Sequence, residues 1–295
     1  MNSFFPMIKN IAITGLQNQV VKDCDYFDEK GEILYCGVCG EPRREISEFP
    51  DPTPEDPENK TLLLRCCSCR CDREAEEQRK ADEQARRDME YVATLKKASL
   101  MDEKFKASTF DTFETNRYNK KNLRLCRRYA EGFKEMQEKN QGLILWGGVG
   151  TGKTFAVACI ANYLLEHKVP VVMTSFVKLL DIIQRDKDEE PKILMKLDRA
   201  ALVIFDDLGA ERDTSYALEK VYSIIDSRYR SQKPMIFTTN LTLNEMQEET
   251  DIRYSRIYDR IFEFCYPIQF TGPSWRKKAA HDRFEAMEKF FAEEG

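Results

Sequence analysis

Residues 142–154 constrain this chain more than any other stretch. An apolar run, "GLILW", passes into "GGVGTGKT" at 147–154 and then into an apolar-periodic segment ending at Leu165. This is G-x-x-x-x-G-K-[ST] in a strand-loop-helix setting, a pattern that arises by accident in a chain this long on the order of one per cent of the time. Glycines 147, 148, 150 and 152 let the backbone turn so that its N–H groups, with a helix N-terminus behind them, converge on phosphate oxygens. The whole loop, with Val149 and Thr151 inside it and Phe155 just beyond, is expected to bind a nucleoside triphosphate. Lys153 is expected on the β- and γ-phosphates and the Thr154 hydroxyl on Mg²⁺.

A second run, "ALVIFDDLG" at 201–209, ends in two adjacent carboxylates. Like charges at the tip of a buried strand repel unless a cation lies between them. Asp206 therefore reads as the acidic partner of Mg²⁺ and Asp207 as the general base for an attacking water. "PMIFTTN" places Thr239 and Asn240 at another strand end, where an amide could orient that water. Arg256 and Arg260 lie four apart in "RYSRIYDRIF", and Arg276 follows in "GPSWRKK". They are either the positive charges a phosphoryl-transfer site needs or, for the i,i+4 pair, a solvated face.

After Phe105 the strand-like runs "GLILW", "PVVMTSF", "ALVIFDD", "PMIFTTN" and "FEFCYPIQF" alternate with amphipathic stretches, which predicts a parallel sheet wrapped by helices, α/β in class. No internal repeat interrupts them. The expected organisation is a cysteine-rich module at 1–71, a charged helical linker at 72–104 and the α/β domain at 105–295. Residues 1–35 carry no strong periodicity, and "PDPTPEDPE" at 50–58 reads as an extended loop.

Six of the ten cysteines fall within 36–71, and with no signal peptide in view that crowding favours metal over disulfides. Four thiolates suit Zn²⁺ in a segment too small and proline-rich to build its own core. Cys36 and Cys39 form the first C-x₂-C pair. For the second pair, spacing alone favours Cys66 with Cys69. Cys24, Cys126, Cys159 and Cys265 read as single thiols.

Two histidines, His167 and His281, argue against histidine-based nucleophilic catalysis and a histidine-rich metal site. The net charge of −5 excludes nucleic-acid binding by bulk positive potential. Any such contact must be local: Phe176 and Lys178 could offer a stacking ring and a phosphate contact, or Phe176 could be core. No apolar run reaches membrane-spanning length, so no membrane partner and a cytoplasmic location are expected.

With "WGGVGTGKT", "LVIFDDLGAE", "FTTN" and "SRIYDRI", the chain resembles the AAA+ ATPases, and within them the DnaC/IstB-like helicase loaders, over roughly residues 105–285. The resemblance implies a five-stranded sheet in the order 5-1-4-3-2, with Asn240 as sensor I and Arg276 at the sensor II position. It also implies Arg260 as a finger offered to a neighbouring subunit's nucleotide. It favours Cys69 with Cys71 as the second metal pair. ATP, Mg²⁺ and Zn²⁺ are the implied cofactors. The implied partners are a DnaB-type replicative hexameric helicase, single-stranded DNA and further copies of the chain, assembled on ATP. Asp-Asp stands where most of the class carry Asp-Glu, which implies slow, partner-stimulated hydrolysis. An IstB-like regulator of transposition and a nucleotide-switched DNA adaptor with little turnover are the competing readings.

Overall fold

The computed structural model describes residues 11–13, 21–31, 33–50, 52, 60–211 and 213–292. The chain divides into two compact units, 1–87 and 88–295. In the first, β1 (Ile11–Ile13), β2 (Tyr26–Phe27), β3 (Leu34–Tyr35), β4 (Arg44–Pro50) and β5 (Lys60–Cys66) precede α1 (Arg70–Ala98), within which the division falls. β4 runs antiparallel to β5, from Arg44 opposite Cys66 to Pro50 opposite Lys60, and β1 joins the other side of β5 in parallel. The proline and acid run expected as a loop lies outside the described residues apart from Pro50 and Pro52.

The charged stretch read as a linker forms α1, and none of its residues is buried. Its charged first part is supported by its own side-chain pairs, while Leu95 near its end packs against the core. Here Glu76 meets Arg79 and Lys80, and Glu83 meets Arg86 and Arg87.

The second unit continues with α2 (Lys120–Glu131), α3 (Phe133–Glu138), β6 (Gly142–Gly147), α4 (Lys153–Glu166), β7 (Val171–Ser175), α5 (Phe176–Arg185) and α6 (Glu189–Arg199). Then come β8 (Leu202–Leu208), α7 (Ser215–Arg230), β9 (Met235–Thr239), α8 (Leu243–Gln247), α9 (Ile252–Phe264), β10 (Cys265–Phe270) and α10 (Trp275–Ala292). Its five strands are all parallel, in the order β10-β6-β9-β8-β7, which counted from β6 is the expected 5-1-4-3-2. The strands read as unbroken apolar runs because both faces are covered. Leu143, Leu145, Leu202 and Ile204 pack under α2 and α4, while Ile144, Val203, Phe205 and Phe237 pack under α5, α7 and α9. Pro267, which cannot donate to a ladder, is tolerated because β10 is an edge strand.

One strand boundary differs from expectation. Residues 262–264 of "FEFCYPIQF" complete α9 rather than begin β10. Phe264 is buried on that helix face, and its carbonyl accepts the Gln141 Nε2 hydrogen bond at 2.6 Å. Helix starts follow local capping chemistry. Ser175 accepts from the Lys178 N–H, Thr214 from that of Ala217, and Thr242 forms a reciprocal box with Glu245.

Candidate functional site

The sheet order sets β9 between β6 and β8, so the glycine loop after β6, Asn240 after β9 and the two aspartates on β8 converge at one end of the sheet. Gly147 (φ 131°) and Gly150 (φ 79°) take backbone conformations that a side chain would strain. A Cβ on Gly147 would meet the Phe270 carbonyl oxygen at 2.1 Å, so the loop is also pressed against β10.

Lys153 is 5% exposed, and its Nζ donates to the Gly147 and Gly148 carbonyls at 2.7 and 2.9 Å and to Asn240 Oδ1 at 2.9 Å. Burial pulls its pKa below the ordinary lysine value, against the opposing fields of Asp207 and Asp206. The Thr154 hydroxyl lies 2.9 Å from Asp206 Oδ1. Residues 52 positions apart are thus in direct contact at the place the sequence reserves for a cation. Burial raises the Asp206 pKa, with Asp207 adding to the rise and bonds from Thr238 and Thr154 opposing it.

Three adjoining cavities make one groove here. A cavity of about 290 Å³ is lined by the loop 149–155 with Asp207, Asn240, Trp275 and Arg276. On one side it shares Gly152, Phe155 and Trp275 with an apolar cavity of about 240 Å³ completed by Thr112, Phe113 and Glu114. On the other it shares Thr154, Asp207 and Arg276 with a polar cavity of about 240 Å³ that Asp206 also lines. Phe113 meets Phe155 edge to face at 5.2 Å. An aromatic end, a glycine cradle and an end where Asp102, Asp206 and Asp207 mix with Lys104, Lys178 and Arg276 follow one another. Phe113, Trp275 and Thr238 were missed in the sequence, because nothing local marks an aromatic or a threonine whose partner, such as Phe155, Gly150 or Asp206, lies on a distant segment.

Arg276 faces the groove, but Arg260 does not line any of its three cavities. Its guanidinium is ion-paired with Asp226, hydrogen-bonded to the Tyr222 hydroxyl at 2.9 Å and set over the rings of Tyr222 and Tyr229. Arg256, one turn earlier on α9, is exposed. Phe176 corrects an expectation: it is 1% exposed and stacked on Phe205 at 4.3 Å, so its ring is core and cannot receive a base. Lys178 is tied to Asp102 and to the Leu100 carbonyl, both at 3.0 Å, and lines the polar cavity that holds Asp206 and Asp207.

In the first unit the sulfurs of Cys36, Cys39, Cys69 and Cys71 all lie within 4.8 Å of one another. Four thiolates around one Zn²⁺ at about 2.3 Å would sit about 3.8 Å apart, so the cluster fits that ion after a small contraction. Cys66, at the end of β5, is outside the cluster, and the pair favoured by spacing alone does not form. The Cys39 sulfur accepts backbone N–H bonds from Cys71 and Glu41, which pulls its pKa down to about 6. Burial pushes Cys69 up to about 12. Beside the cluster the buried Arg43 is ion-paired with both Asp25 and Asp72.

Sheet order and site together define the AAA+ P-loop fold. The chain belongs to the IstB-like ATP binding protein family, which it matches over residues 75–283. It is homologous to the replicative helicase loaders: it is 30% identical to DnaI of Bacillus subtilis over 151 residues, 47% of this chain and 48% of that protein. It is 27% identical to DnaC of Escherichia coli K12 over 143 residues, 47% of this chain and 56% of that one. The crystal structure of DnaI superposes with a TM-score of 0.51 at 25% identity, covering 59% of this chain and 93% of that chain. The chain spans about half the length of the curated relatives it matches. Among the described residues no helix is long and apolar enough to cross a membrane.

Proposed function

We propose that this chain is a cytoplasmic, ATP-dependent loader that places a DnaB-type replicative hexameric helicase on single-stranded DNA. The observation that carries this reading is the run of adjoining cavities from Phe113 past the glycine loop to Asp206, in a chain homologous to helicase loaders. Lys153 would exchange its bonds to Gly147 and Gly148 for the β- and γ-phosphates, releasing those carbonyls as the loop closes. Thr154 and Asp206 would hold Mg²⁺, which neutralises phosphate charge when bound. Asp207 would accept a proton from the attacking water while Asn240 orients it, and Arg276 would reach the phosphates from the start of α10.

Arg260 would act on the nucleotide of the next copy in an ATP-dependent assembly, consistent with its distance from the groove of its own chain. The shorter Asp207, in place of glutamate, would make turnover slow until a partner binds. Cys36, Cys39, Cys69 and Cys71 would hold one structural Zn²⁺. A regulator of transposition remains the second reading, supported by the family match over 75–283.

The test is capture by a hexameric helicase in the presence of ATP, scored by transfer of the helicase to a single-stranded circle. The Lys153→Ala chain, which should lose ATP binding, serves as the control. Tight ATP binding without helicase capture in any nucleotide state would refute the loader reading, and capture of a transposase instead would favour the second.

A further inference from the structure

Asp206 and Asp207 are consecutive strand residues, which ordinarily point to opposite faces. Both nevertheless line the same polar cavity at one end of the groove. The pairing of β8 with β9 explains how: Phe205 stands opposite Phe237 but Leu208 opposite Thr239, so β8 carries one extra residue across the two aspartates. Bulges of this kind re-aim side chains beside functional sites. Asp207 takes a left-handed backbone (φ 55°), unusual for a residue with a side chain.

The single residue opposite this bulge is Thr238, fully buried. Its hydroxyl donates to Asp206 Oδ1 at 2.6 Å and accepts the Asp207 N–H at 2.9 Å. One side chain thus supplies the hydrogen bond that the interrupted ladder withholds from Asp207 and also clamps the carboxylate of Asp206. The rest of the turn is closed independently, by Ala210 N–H to the Asp207 carbonyl at 3.1 Å and Gly209 N–H to Glu211 at 2.9 Å. Thr154 shares the same Asp206 oxygen, so Thr238 keeps that carboxylate aimed when the Thr154 hydroxyl turns to a cation.

We propose that Thr238 is a positioning residue of the metal and water site, fixing the bulge that turns two consecutive carboxylates into one cavity. The inference rests on the nucleotide reading above and adds a residue with no contact to nucleotide. Thr238→Val keeps shape and β-branching and removes only the hydroxyl. Partners that orient metal ligands typically contribute 10- to 100-fold in metal affinity.

The experiment titrates Mg²⁺ into full-length chain with a fluorescent, non-hydrolysable ATP analogue, alongside steady-state phosphate release. Thr238→Val should raise the Mg²⁺ midpoint by about tenfold or more, lower turnover by a similar factor, and leave analogue binding in EDTA close to the parent's. Thr238→Ser, which retains the hydroxyl, should restore the midpoint to within about twofold. Thr238→Ala gives the same reading if the valine variant does not fold. An unchanged Mg²⁺ midpoint in the hydroxyl-free variants, or a serine variant as impaired as they are, overturns the proposal. Failure of the parent itself to bind the analogue overturns the nucleotide reading, and this inference with it.

Discussion

Asp206 illustrates how a functional group is held at a thermodynamic disadvantage. Its carboxyl is pushed above the usual range, first by burial and then by Asp207. A carboxyl raised in the folded state favours folding while protonated, and that contribution is lost as pH rises through the folded value. At neutral pH the ionised group therefore opposes folding until a cation arrives. Asp206→Asn should raise the melting temperature of the metal-free chain by roughly 2–4 °C while abolishing Mg²⁺-dependent nucleotide binding. Calorimetry with and without Mg²⁺ checks both, and a lower melting temperature would show the carboxylate to be stabilising. In the parent, Mg²⁺-dependent binding should weaken as pH falls into the raised range and Asp206 takes up its proton. Lys153 is legible from its motif alone, whereas Thr238 is not, since a threonine acquires this role only by standing opposite a bulge on another strand.

Among the elements, the α7–α9 pair decides what Arg260 can do. The guanidinium is shared among Asp226, Tyr222 and Tyr229 on α7, and Asp226 also pairs with Arg230 at 2.9 Å. Arg230 can therefore retain the carboxylate if Arg260 is withdrawn. Because the Arg260 side chain is only 23% exposed and its partner Asp226 14%, its removal should cost about 2–3 kcal/mol of stability, held to that by Arg230 retaining the carboxylate. Arg260→Ala should spare ATP binding and lower turnover by about 10³-fold. Mixing it with a chain that lacks the base, Asp207→Ala, should restore partial activity if the arginine serves the neighbouring copy. Unaltered turnover would leave Arg260 a structural tie between the two helices. The i,i+4 spacing announced a shared face for Arg256 and Arg260 but not which of them α7 would engage.

The chain divides into a large α/β unit with two buried apolar clusters and a smaller unit that carries the four-cysteine cluster. Within the described part of the small unit, Arg43 ties Asp25 to Asp72, and a metal held by the four cysteines as proposed would add to that stability. Metal analysis should find about one zinc per chain. A strong chelator, or Cys69→Ser, should remove hydrogen-exchange protection from residues 34–72 while ATP binding by the second unit persists. Full protection after metal removal would contradict a structural zinc.

The sequence by itself determined the phosphate loop, the alternation of strands and helices, the acidic strand end and the first cysteine pair. Each of these is written in residues adjacent along the chain, where backbone conformation and burial period act locally. Spacing alone pointed to Cys66 and the family resemblance to Cys69 with Cys71, and the tertiary structure puts the latter two beside Cys36 and Cys39; only the tertiary structure decided that Phe176 belongs to the core and that Arg260 lies outside its own groove. It alone placed Thr238 beneath two aspartates. Those outcomes depend on which distant segments come to lie side by side, and hydrophobic packing sets that for the chain as a whole.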